Sequence, residues 1–244
     1  MENAQLIGLS RQLGLRRQLD VIANNLANIN TAGFKGQNLL FEEYLMPKAE
    51  ATAFQRPDQP LSYTNDYGDA TNFAQGALRE TGNPLDVAIQ GDGFLVVQGP
   101  TEELYTRAGN FAVGPDGILQ TQQGYPVLVD GGPIEINSED GPLSIAKDGT
   151  LSNNQGILGR LNMVNFENPQ ELTLRGQNTY AGENPIPMEN IEVQQGFLEM
   201  SNIEGVVEIT RMIEVTRNYA SVSRIISQRD DLQERAIREL GRVS

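Results

Sequence analysis

Apolar residues recur at alternating steps of four and three near the start of the chain, at Leu15, Leu19, Ile22, Leu26 and Ile29. The same spacing returns near the far end, at Met212, Val215, Tyr219, Val222 and Ile226. Steps of this kind place side chains on one face of an α-helix, so the fold must accommodate two amphipathic helices separated by most of the chain. The first is expected from Glu2 to about Asn30 and the second from about Gly196 to Leu240, both free of proline. At 1.5 Å per residue the second reaches roughly 60 Å. Each also carries a second stripe: Leu6, Leu9 and Leu13 in the first, and Ile225, Leu232, Ala236 and Leu240 in the second. The step from Leu13 to Leu15 turns the face by about 200°. A single partner helix cannot cover faces that drift around the axis in this way, so both helices call for several neighbours.

The first helix runs into an Asn-rich stretch, Asn24-Asn25-Leu26-Ala27-Asn28-Ile29-Asn30. Asn is a poor helix former and favours ends and turns, and Gly33 can supply the left-handed stop that follows. Asn24 and Asn28, four apart, can also offer uncharged donors and acceptors to neighbouring helices. Leu39 to Leu45 suggests one more short element. Pro47, Pro57 and Pro60 then break any helix, and 46–75 reads mainly as an extended connector.

From Gly76 the pattern changes to short alternating segments punctuated by Gly, Pro and Asp, the mark of a β region. Leu85 to Ile89 and Phe94 to Val97 read as a hairpin around Gly91-Asp92-Gly93. Further strands are expected near 104–106, 111–113, 118–120, 127–129, 143–146 and 161–166, with tight turns at Asp116-Gly117 and Asp148-Gly149. The expected fold class is therefore α+β: terminal helices that pair as a helical layer, and a central, mainly antiparallel all-β domain. The expected boundaries are 1–36 (helix and turn), 37–75 (connector), 76–197 (β domain) and 198–244 (closing helix).

The chain contains no cysteine and no histidine, which removes thiolate chemistry, the commonest general base and the usual transition-metal ligand. The net charge of -14 is uneven: residues 1–36 hold four bases against two acids, 198–244 seven against eight, and 37–197 seven against 22. Such a middle argues against nucleic acid or an anionic membrane as partner. The apolar runs are too short for membrane insertion, and the opening residues lack the basic region of a secretory signal. Gly91-Asp92-Gly93 lacks the third glycine of a nucleotide fingerprint. Asp86, Asp92 and Asp116 could form a glycosidase pair only if the fold brought two together, and nothing in their spacing selects them. No catalytic residue, metal site or cofactor is expected.

Several segments together resemble the flagellar basal-body rod and hook family of bacteria. They are Ala23 to Lys35, with its Ala-Asn-Asn helix end and Thr-Ala-Gly-Phe-Lys turn; Thr81 to Phe94; Tyr105 to Phe111; Gln195 to Ile203; and Thr210 to Ile213. The length is short for a hook protein, and Met1 to Gln5 and Gly124 to Leu128 look more like the proximal-rod member than the distal-rod one. The resemblance implies a structural, non-enzymatic subunit of the rod, located in the basal body where the rod crosses the periplasm. It also implies export through the flagellar type III apparatus without a cleaved signal. Its partners would be copies of itself, other rod proteins and that apparatus. The assembly interface is then expected on Leu6, Leu9, Leu13, Leu19, Ile22, Leu26 and Ile29, on Asn24, Asn25 and Asn28, and on Met212, Val215, Tyr219, Val222, Ile226 and Leu232. Two readings from other classes are an acidic carbohydrate-active β protein and an adaptor whose helices bind one fixed partner.

Overall fold

Both periodic segments form helices in the computed structural model, which describes residues 2–45, 62–130, 132–137, 140–176, 178–188 and 192–240. They are α1 (Glu2–Ala27) and α2 (Gly205–Leu240), the latter about 54 Å long. Contacts divide the chain into a helical unit, made of 1–27, 37–70 and 204–244, and a β unit, made of 28–36 and 71–203. In the helical unit the two helices pack antiparallel. A Cβ added to Gly8 would lie 3.2 Å from Ile226 Cδ1, and towards the other end of α1, Val21, Ile22 and Asn25 share one recess with Glu208 and Arg211. The partner position on α2 thus falls as α1 advances. β1 (Gln37–Leu45) and β2 (Ser62–Thr71) pair as a two-stranded sheet.

The β unit begins with β3 (Leu78–Glu80), β4 (Val87–Ile89), β5 (Phe94–Gln98) and β6 (Glu103–Thr106). Short strands follow: β7 (Ala112–Val113), β8 (Leu119–Gln120), β9 (Leu128–Val129), β10 (Gly132–Pro133), β11 (Ser144–Ile145), β12 (Thr150–Asn153) and β13 (Gly156–Arg160). The last are β14 (Met163–Asn165), β15 (Thr173–Leu174), β16 (Thr179–Ala181), β17 (Ile186–Pro187), β18 (Val193–Gln195) and β19 (Phe197–Glu199). The main sheet has the order β15-β16-β6-β5-β14-β17, with antiparallel pairing throughout. Along β5, Leu95 and Val97 join one apolar cluster while Phe94 and Val96 join another, so the strand is buried on both faces. That accounts for its unbroken apolar run. The second cluster is aromatic: Phe94 meets Phe73, Phe166 and Tyr180 edge-on at centroid distances of 5.6, 5.8 and 6.0 Å.

Several boundaries fall elsewhere than the sequence pattern places them. α1 ends at Ala27, not near Asn30, where Thr31 N–H closes a turn on the Asn28 carbonyl at 3.1 Å. The turn residues 28–36 belong to the β unit and not to the helix before them. Strands β1 and β2 occupy much of the expected connector, while Pro47, Pro57 and Pro60 lie outside the described residues. α2 starts at Gly205, because Phe197 to Glu199 pair with Glu80 to Leu78 as a strand. The expected hairpin is also absent: β4 pairs with β18, and β5 with β6 and β14. Positive φ at both Gly91 and Gly93 carries the chain from one sheet into another. The Asp-Gly turns do form, with Gly117 and Gly149 at φ 77 and 81 between β7 and β8 and between β11 and β12.

Tyr180, 2% exposed at the centre of the aromatic cluster, has its hydroxyl pushed well above the ordinary phenol value of 10.0 by burial. Above pH 10 the unfolded chain releases this proton and the folded chain keeps it. The folded state then binds more protons, and stability falls by about 1.4 kcal/mol per pH unit from this one group. Urea melts of the wild type and Tyr180→Phe between pH 8 and 11 check this: the variant is expected to lose less stability above pH 10, and parallel profiles would contradict it.

Candidate functional site

Three segments distant in sequence meet in the β unit around one carboxylate. β19 runs against β3 and ends at Glu199, whose side chain is 1% exposed. The loop after α1 arrives on one side, with Gly33 N–H donating to the Glu199 carbonyl at 2.8 Å. Gly33 sits at φ +67, and a Cβ there would overlap the backbone of Arg107 and Ala108. The left-handed stop expected from the sequence is thus also a point of backbone-to-backbone packing. Two residues on, Lys35 Nζ, fully buried, donates to Glu199 Oε1 at 2.5 Å and to the Ala74 carbonyl at 2.8 Å. Arg107, just past β6, donates from Nη1 to Glu199 Oε2 at 3.2 Å, and its guanidinium lies 5.5 Å from the Phe94 ring centroid. Gly76 N–H adds a bond to Oε1 at 2.9 Å.

Two cations share one carboxylate in a dry site. Burial pushes both the Lys35 ammonium and the Arg107 guanidinium below their ordinary values, opposed by Glu199 in each case. The aromatic layer beneath excludes water and so strengthens each bond. Asn202 ties the flanking loops: its Oδ1 accepts Gly36 N–H at 2.9 Å, and its Nδ2 donates to the carbonyls of Asn72 and Ala74 at 2.7 and 2.9 Å. Both carboxylate oxygens of Glu199 are taken up by protein donors. The arrangement locks together the stretches of chain on which 28–36 enters, 71–76 enters and 199–203 leaves the β unit. Of the carboxylates weighed for glycan chemistry, Asp86 is buried and accepts Asn83 Nδ2 at 2.9 Å, while Asp92 and Asp116 lie exposed in separate turns.

The helical unit is built very differently. Among its described side chains only Ile22, Asn25, Glu208 and Val215 are buried. Leu19, Leu26, Met212, Tyr219, Val222 and Ile226 are half-buried. Leu9, Leu13, Leu232 and Asn24 are exposed. Asn28 and Ile29 fall in the β unit, where both are half-buried and Thr31 Oγ1 donates to Asn28 Oδ1 at 3.1 Å. Leu6 lies in α1, but its side chain is outside those described. The asparagine that does most is Asn25: its Oδ1 accepts Gln37 N–H at 3.0 Å and its Nδ2 donates to the Gln37 carbonyl at 2.9 Å. This pair of bonds fixes the start of β1 against α1. The sequence pattern also passed over Val206, Ile209 and Ile213, which stand exposed at helical spacing on α2. The signal was there in their i, i+3, i+7 steps, masked by the stronger seam at Met212 to Ile226.

A helix pair with few buried side chains among those described, joined to a β unit with two buried apolar clusters, has the build of a structural subunit. Comparison with known proteins agrees. The family description for flagella basal body rod proteins matches residues 6–35, that for the flagellar hook protein FlgE/F/G D1 domain matches 88–153, and that for the C-terminal part of flagellar basal body rod FlgEFG proteins matches 194–239. The chain is 40% identical to the flagellar basal-body rod protein FlgF of Caulobacter vibrioides over 100% of both chains. It is 33% identical to that of Mesorhizobium japonicum, again over 100% of both. To the flagellar basal-body rod protein FlgG of Bacillus subtilis it is 33% identical over 92% of this chain and 94% of the other. The chain belongs to the flagellar basal-body rod protein family, as a structural rod subunit of the motility apparatus, and its full-length likeness to FlgF accords with the features of its opening and middle.

Proposed function

We propose that this chain is a proximal-rod protomer whose α1/α2 unit polymerises with copies of itself and with other rod proteins into the shaft that transmits motor torque across the periplasm. It reaches that place through the flagellar type III export apparatus without a cleaved signal, and it catalyses no reaction. The observation that carries this reading is how few of the described side chains of the helical unit are buried. Large apolar side chains stand in solvent on both helices: Leu13 at 60%, Ile213 at 48%, Ile225 at 62% and Leu232 at 63% exposure. In a monomer this surface is a liability, whereas in a helical polymer with heterologous contacts each stripe meets a neighbour. Full-length similarity to FlgF supports the proximal position.

The test is Ile213→Glu. The side chain is exposed and belongs to neither buried cluster, so the folded protomer is expected to change by only about 0.5 kcal/mol. Its incorporation into isolated basal bodies, and swimming in cells that depend on it, are expected to be lost. Normal rods and normal swimming with this variant would contradict the proposal.

A further inference from the structure

One polar side chain in the helical unit is left unfinished by its own fold. Glu208, in the first turn of α2, is 5% exposed. Its Oε1 accepts Arg211 Nη1 at 3.0 Å, but Oε2 is buried with no hydrogen-bond partner. A buried acceptor without a donor gives up its hydration with nothing in return, and a charged one gives up more. The positive end of the α2 dipole favours a carboxylate there but brings no hydrogen to Oε2. Glu208 lines a recess of about 280 Å³ whose polar walls are Gln18, Asn25, Gln37, Asn38 and Arg211, none of which donates to Oε2. Asn25 is committed to Gln37 through both its oxygen and its nitrogen, and Arg211, half-exposed, already holds the other oxygen. A recess with a bare buried carboxylate oxygen is a socket for a donor from outside the protomer.

We infer that the Glu208 recess receives an arginine side chain from a helix of a second copy of this chain, so that the contact which builds the polymer also completes the carboxylate. The inference rests on the assembly proposed above. Three observations choose the occupant. The acceptor is a carboxylate, and a cationic donor gives the short, charge-assisted bonds that offset its desolvation. Arg11, Arg16, Arg217 and Arg235 are exposed on α1 and α2 and form no ion pair with a described residue. The charge balance also favours approach through the helices, because 37–197 holds 22 acids against seven bases and repels its own copies, whereas the two ends are close to neutral.

The full-length chain tests this by sedimentation velocity over a concentration series, beside thermal melts. Glu208→Leu and Glu208→Gln are expected to melt no lower than the wild type, because the bare acceptor is gone or replaced by an amide. Both should nevertheless weaken self-association about tenfold or more. Among Arg11→Glu, Arg16→Glu, Arg217→Glu and Arg235→Glu, one is expected to abolish association and to regain it when combined with Glu208→Arg. Unchanged self-association of Glu208→Leu would overturn the inference. So would a clear loss of stability in that variant, which would mean that the chain or an ordered water already satisfies Oε2. A wild type that stays monomeric, or joins only a different rod protein, would overturn the choice of a second copy. The rod reading stands or falls separately, on incorporation of Ile213→Glu.

Discussion

Replacing Glu199 by leucine is expected to destabilise the β unit by about 3–5 kcal/mol, the usual consequence of removing one member of a buried ionic group. Lys35 and Arg107 would be left as two buried cations facing each other across a dry site. Gly76 N–H and one Nζ bond would lose their acceptor as well. Changing all three residues together, to Lys35→Met, Arg107→Met and Glu199→Leu, is expected to cost far less, because no uncompensated charge remains. The single variant also has a distinctive pH dependence. Burial already holds the Lys35 ammonium below 10.5, and Glu199 is what opposes that shift. Without the carboxylate the folded state gives up the Lys35 proton earlier than the unfolded state does. The unfolded state then binds more protons, and stability rises with pH up to about 10.5. The deficit of Glu199→Leu should therefore shrink on going from pH 7 towards pH 10. Urea melts followed by circular dichroism suit a chain without tryptophan. A deficit under 1 kcal/mol at pH 7 would show that the three charges do not act as a unit.

Gly33→Ala is expected to cost about 3 kcal/mol or more, although it adds a single methyl group. The left-handed conformation alone accounts for about 1–2 kcal/mol. The remainder comes from overlap with the backbone of Arg107 and Ala108, which cannot swing aside as a flexible side chain would. Gly82→Ala separates the two contributions: Gly82 has nearly the same φ, +69, but nothing lies within 4 Å of an added Cβ, so only the conformational part should appear. Equal losses at the two positions would contradict the packing role given to Gly33. Because Gly33 and Glu199 hold the same loop in place, the double variant should lose clearly less than the sum of the singles.

The sequence made the two helices legible because a long seam such as Met212 to Ile226 carries its own period, and it made the β character of the middle legible through turns such as Asp148-Gly149. Strand partners were another matter. Val87 to Ile89 and Phe94 to Val97 look like a hairpin because they are adjacent, yet the partner of β4 is Val193 to Gln195, more than a hundred positions further on, and no local signal points there. The same holds for Phe197 to Glu199, which reads as the start of a helix until its pairing with β3 is seen. The ionic centre was half visible. Lys35, Arg107 and Glu199 each lie inside a segment that resembles the rod family, but their side chains meet only through the fold of the β unit. Asn25 was placed in the expected assembly interface with Asn24 and Asn28, and the structure uses its amide within the chain, on β1. Glu208 gave no sequence signal, since an acid in the first turn of a helix is ordinary.

The exposed stripes of the helical unit are expected to be covered in the assembled rod. A chain without cysteine allows this to be measured with single introduced thiols. Ile213→Cys on α2 and Ile157→Cys on the β unit, the latter position 77% exposed, would each be labelled with a maleimide in the purified protomer and in intact basal bodies. Both are expected to react in the protomer. In the basal body Ile213→Cys should be protected while Ile157→Cys stays reactive, whereas a thiol at 213 that reacts as fast in the rod as in the protomer would contradict the account.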